Sequence, residues 1–361
     1  MKKIVLTGGG SAGHVTPNLA LAAELERRGW ELLYIGSHDG MEKAVVEDAG
    51  LPYRSIATGK LRRYLSLKNL TDPFRVVKGI GDAKKILREE QPALVFAKGG
   101  YVSLPVVKAA RKLGIPVFLH ESDMTPGLAN RLCFKDATRV FCNFPETLAS
   151  LPAGKSFVSG CPIREELGSG SREAALAFTG LSGEKPVLLQ IGGSLGASAL
   201  NDLLRESLPA LLPHFDVIHL CGKGKRDDSV NCPGYVQYEF ISKELKDLFA
   251  LTDIVLSRSG ANAICELLYL QKPALLVPLP LDASRGDQIL NARSFEKQGF
   301  SKMIEQGELT SERLVQELLQ LYEDREKYRD AMRRSNQSDA VTFLCDQIEE
   351  AAAAQLKGEQ A

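Results

Sequence analysis

Two short apolar runs, each ending in a cluster of glycines, restrict what this chain can fold into. Lys3–Thr7 runs into Gly8-Gly9-Gly10-Ser11-Ala12-Gly13-His14, and Val187–Ile191 runs into Gly192-Gly193-Ser194-Leu195-Gly196. Each reads as a first strand, a glycine turn and a first helix, a place where backbone can approach a phosphate closely. Strand and helix alternate after both. In the first half the expected strands are Glu31–Ile35, Tyr53–Ile56, Ala93–Ala97, Val117–His120 and Arg139–Phe141. A break falls near Gly160-Cys161-Pro162. The pattern then restarts with helix Ala197–Leu212, strands Phe215–Leu220 and Tyr235–Glu239, and helix Lys243–Ala250. Such alternation predicts parallel sheets covered on both faces. At 361 residues the chain is too long for one core of ordinary size. The expected fold class is therefore α/β, with two Rossmann-like parallel-sheet domains facing across a cleft. Residues 1–161 would form the first domain and 162–337 the second. A final helix over 338–356, free of Pro and Gly, is expected to dock back on the first.

The most informative stretch is Ser257 to Ala292. It follows a buried strand at Ile254-Val255-Leu256, turns at Ser259-Gly260, and continues as a helix from Ala261 to Tyr269 with Ile264, Leu267 and Leu268 on one face. A second strand, Pro273–Val277, leads through a polar loop to a helix around Gln288 and Asn291. Its loops meet at the carboxyl edge of a parallel sheet, where such folds bind ligands. There the sequence places a helix N-terminus that attracts phosphate, a carboxylate (Glu266) able to hold both hydroxyls of a ribose, and an amide pair suited to a sugar. That inventory describes a nucleotide-sugar pocket.

Overall charge excludes little but points away from nucleic acid, since Lys plus Arg and Asp plus Glu both number 45. Seven scattered cysteines without a Cys-x-x-Cys pair fit buried thiols in a reducing compartment rather than disulfides or zinc. No apolar run approaches the ~20 residues that span a membrane, and a cytoplasmic protein is expected. The segment Lys60–Lys68 with Phe74-Arg75-Val76-Val77-Lys78 mixes bases with apolar residues. It suits an anionic membrane surface, and equally a helix with a basic solvent face.

Gly8, Gly10 and Gly13 satisfy G-x-G-x-x-G, so a dehydrogenase is one rival. Asp39 lies late for a ribose-binding acid, however, and a dinucleotide site leaves the second-half pocket unexplained. His14 is expected in the first turn of the first helix, where the dipole keeps imidazole neutral and available as a base; a structural or phosphate-contacting role is the alternative. His120-Glu121-Ser122-Asp123 ends the fifth strand and reads as a site cluster or a helix cap. Lys98-Gly99-Gly100-Tyr101 ends its neighbour. Asn130 and Arg164 are open to ligand or surface roles. No Asp-x-Asp pair is present to carry a metal, so charge on a leaving diphosphate would be met by helix starts and basic side chains.

These segments, together with Thr16-Pro17, Val102-Ser103, Arg258 and Asp287, resemble the MurG family in order along nearly the whole chain. Those enzymes are N-acetylglucosaminyltransferases that convert lipid I to lipid II in peptidoglycan synthesis. The resemblance implies the two-domain glycosyltransferase fold called GT-B, with no cofactor and no metal. It places Ser11, Ala12 and Gly13 at the donor sugar and diphosphate, Ser194 at the phosphates and Arg164 at the hinge. Ile241 would meet the uracil, Ala261, Asn262, Ala263, Ile264 and Cys265 would wrap the nucleotide, Glu266 would hold the ribose and Gln288 the transferred sugar. Tyr101, Glu121, Asn130, Asn201 and Arg258 join the expected substrate-binding set, with His14 or Asp123 as catalytic base. The family often has Asn where this chain has Asp123, and Gly-Gly at Ala12-Gly13. The implied partners are UDP-N-acetylglucosamine, a polyprenyl-pyrophosphate-linked N-acetylmuramoyl-peptide, an anionic membrane surface on the cytoplasmic side of the cell membrane, and other cell-wall synthesis enzymes, with no nucleic acid. The alternatives are a UDP-N-acetylglucosamine 2-epimerase and a non-catalytic sugar-nucleotide sensor.

Overall fold

The computed structural model describes residues 2–59, 68–193, 196–284, 286–335 and 339–358. The chain divides into two compact units, Met1–Arg164 with Gln337–Ala361, and Glu165–Asn336. Among the described residues unit 1 holds seven strands: β1 (Lys3–Thr7), β2 (Glu31–Ser37), β3 (Tyr53–Ile56), β4 (Leu94–Ala97), β5 (Val117–Glu121), β6 (Arg139–Cys142) and β7 (Ser156–Val158). They form one sheet in the order β3-β2-β1-β4-β5-β6-β7, parallel throughout. Both faces of the inner strands are covered, which is why β1 and β4 read as apolar runs. Val5, Val95, Ala97 and Leu119 pack into one layer, while Ile4, Leu6, Phe96 and Phe118 pack into the other. The second layer includes Leu344, Cys345 and Ile348 of the helix Ala340–Gly358. Arg28 pairs with Asp346 and Glu349 of that helix, and Arg139 with Glu350.

Unit 2 holds β8 (Val187–Ile191), β9 (Asp216–Leu220), β10 (Tyr235–Tyr238), β11 (Ile254–Ser257), β12 (Ala274–Leu276) and β13 (Ser301–Met303). Their order is β10-β9-β8-β11-β12-β13, again parallel. Both sheets grow outward from their first strand in two directions. The order reverses between β1 and β4 in unit 1 and between β8 and β11 in unit 2. At such a reversal the two following loops diverge to opposite faces and open a crevice at the strands' carboxyl ends. Register sets the loops level: Thr7 stands opposite Ala97, and Ile191 opposite Ser257. The edge strands β7 and β13 are additional to those the sequence pattern predicts.

Candidate functional site

In unit 1 the crevice is built from two glycine loops that interlock. The Gly8–Gly10 loop follows β1, and Lys98–Tyr101 follows β4. A Cβ on Gly8 would lie 3.2 Å from the Lys98 Cβ, and one on Gly10 would lie 2.6 Å from the Tyr101 ring. Gly10 has φ +84°, a left-handed conformation that a side chain resists. Tyr34 donates its hydroxyl to the Gly8 carbonyl at 2.8 Å, and Asn18 donates to the Thr7 carbonyl at 3.2 Å, so buried groups hold the loop from below.

His14 closes a separate 3-10 turn, Ala12–His14, and does not lie within the helix Thr16–Arg27. The expected single helix is interrupted because Pro17 has no N–H to give the Gly13 carbonyl. Its Nδ1 lies 2.9 Å from the hydroxyl oxygen of Ser11, which is itself exposed. Half-buried His14, Tyr101 and Asp123 therefore belong to the same carboxyl edge of one sheet. Burial, with the Glu42 charge added, raises the Tyr101 pKa, so the phenol stays protonated at neutral pH.

The neighbouring edge residues form a buried polar chain. Lys98, fully buried, donates to His120 Nδ1 at 2.6 Å and to the Ser122 hydroxyl at 2.5 Å. The other imidazole nitrogen, Nε2, faces the Gly160 carbonyl at 3.0 Å, an acceptor only, so it carries the hydrogen. Desolvation, then the Lys98 charge, lowers the His120 pKa well below its ordinary value and keeps the ring neutral. Glu121 is spent within its own loop. Its two oxygens accept Asp123 N–H at 3.1 Å, Gly127 N–H at 3.0 Å and the Asn130 amide at 2.9 Å. Glu121 and Asn130, both expected at the substrate, are each 4% exposed and shape the loop that carries Asp123.

Unit 2 repeats the plan. Gly260 precedes the helix Ala261–Tyr269 and offers no side chain to cap it, leaving first-turn amides that no helix carbonyl can reach. Two hydrogen bonds tie that turn to the helix Asp287–Lys297: the Ser259 hydroxyl donates to the Gln288 carbonyl at 2.8 Å, and the Asn291 amide donates to the Ser259 carbonyl at 3.1 Å. Gln288 itself is half-buried, and its Oε1 accepts Leu279 N–H at 3.0 Å. Asn291 is fully buried, so of the amide pair only Gln288 stands at the surface. Asn262, Ala263 and Glu266 are half-buried along one side of the first helix, whereas Ala261, Ile264 and Cys265 face the core. Any ligand contact from Ile264 or Cys265 would come through backbone.

Two further expected substrate residues are inward-facing. Arg258 is 8% exposed and gives its guanidinium to the carbonyls of Val277 (2.9 Å) and Pro278 (3.2 Å) and to Gln306 (2.7 Å). Asn201 donates to the Cys221 carbonyl at 2.7 Å and accepts from His219 Nε2 at 3.0 Å. Ile241 is buried beside exposed Phe240. An open depression of about 620 Å³ lies beside it, lined by Lys223, Arg226, Tyr238, Glu239 and Phe240 at the ends of β9 and β10. Arg164, half-buried, is the last residue of unit 1 before the chain enters unit 2. Ser194 lies outside the described residues, as does the basic stretch 60–67. Among the described residues no group of His, Cys, Asp and Glu is arranged to hold a metal.

Sequence reasoning named the edge clusters but missed the groups beneath them: Glu42, Tyr34, Asn18 and the Ser259–Asn291 link. They are scattered over β2 (Tyr34), the helix after it (Glu42), the helix after the first glycine loop (Asn18) and the helix Asp287–Lys297 (Asn291), and share no local sequence signal.

Residues 4–142 match the glycosyltransferase family 28 N-terminal domain and residues 187–347 its C-terminal domain. The chain is 54% identical over 351 residues to the UDP-N-acetylglucosamine--N-acetylmuramyl-(pentapeptide) pyrophosphoryl-undecaprenol N-acetylglucosamine transferase of Lachnospira eligens, and 56% identical to that of Lachnoclostridium phytofermentans. Each alignment covers 97% of this chain and 99% of the relative. The crystal structure of MurG from Acinetobacter baumannii superposes with a TM-score of 0.75 at 27% identity, over 97% of this chain and all of the other. The two α/β units are thus those of the GT-B fold, and the chain belongs to the MurG family of N-acetylglucosaminyltransferases.

Proposed function

We infer that this chain is a glycosyltransferase that moves N-acetylglucosamine from its UDP carrier to the 4-hydroxyl of the N-acetylmuramoyl unit of lipid I, giving lipid II with inversion. The observation that carries the reading is the end-to-end match to transferases of that name, through both units and both carboxyl-edge crevices. Unit 2 holds the donor. The helix start at Ala261 meets the nucleotide diphosphate with backbone amides, Glu266 takes the ribose hydroxyls, the backbone at Ile241 meets the uracil and Gln288 meets the transferred sugar. Ser194 and Arg164 add to the hold on the phosphates.

Ser11, Ala12 and Gly13 meet the sugar end of the donor. The acceptor hydroxyl loses its proton to His14 or Asp123 as its oxygen attacks the anomeric carbon and the bond to UDP breaks. Charge then collects on the departing diphosphate and is met by helix dipole and guanidinium. Among the described residues no helix is long and apolar enough to cross a membrane. The polyprenyl acceptor therefore requires docking at a membrane surface, and exposed Phe74, Arg75, Val77 and Lys78 on the helix Lys68–Glu90 supply apolar and basic contacts for it.

The deciding experiment follows label from UDP-N-acetylglucosamine into a soluble lipid I analogue. Labelled disaccharide-lipid with free UDP is expected. N-Acetylmannosamine formed from donor alone would establish the epimerase instead, and tight donor binding with no turnover would establish a sensor.

A further inference from the structure

Lys98 has no part in the roles above, yet it adjoins the segments of both candidate bases. It is the first residue after β4, where its N–H donates to the Thr7 carbonyl at 2.9 Å, and its side chain is wholly inside. On one side its loop abuts the loop of His14. A Cβ on Gly8 would lie 3.2 Å from the Lys98 Cβ and 2.4 Å from the His14 carbonyl oxygen, and one on Gly100 would lie 3.2 Å from His14 Nδ1. On the other side its ammonium reaches the end of β5, donating to the Ser122 hydroxyl at 2.5 Å and to His120 Nδ1 at 2.6 Å. Ser122 is held a second time by Asn143, whose amide donates to its carbonyl at 3.1 Å. The next residue is half-buried Asp123, with its N–H on Glu121.

Burying an ammonium costs its hydration, and an apolar side chain would fill the same space without that loss. The charge acts in two ways here. A hydrogen bond from an ionised donor is stronger than a neutral one, so Ser122 is fixed more firmly than a neutral partner would fix it. In a dry interior the charge also reaches beyond its contacts, and it favours the unprotonated state of a carboxyl and of an imidazole alike. The ionisable groups around it lie on three elements. His14 stands on the first glycine loop, and Glu42, in the helix Met41–Asp48, accepts the Gly10 N–H of that loop at 3.2 Å. Tyr101 is on the Lys98 loop itself, and His120, Glu121 and Asp123 follow one another at the end of β5. Tyr101 stays protonated, and His120 is held neutral first of all by burial. Glu42 and Glu121 are buried with their oxygens occupied, which leaves His14 and Asp123 to exchange a proton with an acceptor.

We propose, on the transferase reading above, that Lys98 is a positioning residue for the acceptor step: it fixes the Ser122–Asp123 segment through Ser122, and its charge keeps the base at this edge unprotonated. Lys98→Met keeps the length of the side chain and removes the charge. In the lipid I analogue assay its kcat is expected to fall about tenfold or more, with the calorimetric Kd for UDP-N-acetylglucosamine within about twofold of the parent. The acid limb of the kcat profile should move up by about half a pH unit or more, whichever of His14 and Asp123 is the base, because removing a cation raises the pKa of either. A side chain that only fills space would lower kcat without moving the limb.

A kcat close to that of the parent, a donor Kd rising in step with the loss of kcat, or an unmoved acid limb would each overturn the proposal. If Lys98→Met does not fold, Ser122→Ala decides. It keeps the charge and cuts the link to the Asp123 segment, so a several-fold loss of kcat with the acid limb where the parent has it supports the role, whereas parental kcat refutes it. The parent protein in the same assay separates the two claims. If it transfers no label, the transferase reading fails, and NMR titration of Lys98→Met then tests the charge alone: a pKa raised at His14 or Asp123 supports it, and a rise at neither overturns it.

Discussion

Single side chains at the two carboxyl edges are proposed to carry separable tasks, and the separation is measurable. Glu266 is half-buried on the helix Ala261–Tyr269, proposed above to hold the donor, and a hydrogen bond to an ionised group is worth roughly 1.5–3 kcal/mol. Glu266→Ala should raise the Michaelis constant for UDP-N-acetylglucosamine by roughly 10- to 100-fold while leaving that for the lipid I analogue nearly unchanged; equal rises would remove the ribose assignment. The base is decided by pH. Loss of His14 as base would abolish the limb of the kcat profile set by an imidazole, whereas loss of Asp123 would leave that limb in place, so profiles of His14→Gln and Asp123→Asn assign the role. His219 makes a different kind of prediction. Burial, with Arg205 nearby, lowers its pKa to about 3, and its Nε2 gives a hydrogen to Asn201. An unfolded chain binds that proton near pH 6.5 and the folded one does not, so stability is undiminished above 6.5 and is lost as pH falls toward 3. From 6.5 to 5 the loss is about 2 kcal/mol, at about 1.4 kcal/mol per pH unit. Denaturant titrations at pH 7 and pH 5 should show His219→Gln losing about that much less than the parent.

Secondary-structure elements were legible wherever burial is complete. The strands β1, β4, β8 and β11 have every residue, or all but one, inside, and their apolar runs announced them. Two of the four edge strands were not legible: β7 and β13 are three residues long, too short to show a period, with Phe157 and Val158 of β7 each 38% exposed and β13 reading Ser-Lys-Met. The glycine turns and the helix after Gly260 were also readable, because turn chemistry and helix starts leave local marks. The links beneath them were not, since Glu42 to Gly10 and Asn291 to Ser259 join residues 32 positions apart in each case. The terminal helix Ala340–Gly358 shows what an element can contribute to a distant core. Leu344 and Ile348 are fully buried against the unit 1 sheet, and each truncation to Ala costs about 2–5 kcal/mol. Together they approach the whole stability of a typical domain. The double variant is therefore expected to unfold unit 1 selectively: amide exchange in β1 and β4 should accelerate by orders of magnitude while exchange in β8 and β11 stays at the parental rate. Uniform acceleration through both sheets would show that the units do not unfold separately.

At the scale of the whole molecule, the proposed reaction joins a water-soluble donor to a lipid-linked acceptor, and one described surface is proposed as the contact with the bilayer. The described part of the helix Lys68–Glu90 turns Phe74 and Val77 outward, 78% and 69% exposed, with Arg75 and Lys78 exposed alongside. Apolar side chains so exposed are unfavourable in water unless another surface covers them. The adjacent cations favour an anionic one, at about 1 kcal/mol for each base near the lipid. The chain's formal net charge is zero, so attraction to lipid must come from a local patch and should be screened within a Debye length of about 8 Å at physiological salt. Replacing Phe74 and Val77 with Ser and Arg75 and Lys78 with Gln should weaken sedimentation with phosphatidylglycerol vesicles by at least tenfold. Raising the salt should weaken parental binding but change the variant's much less. Turnover of a short-chain, water-soluble lipid I analogue should be unaffected, because no membrane is needed to present it. Parental vesicle binding by the fourfold variant would move the membrane contact elsewhere, and an equal loss of turnover on the soluble acceptor would assign these residues to the acceptor site rather than to the lipid surface.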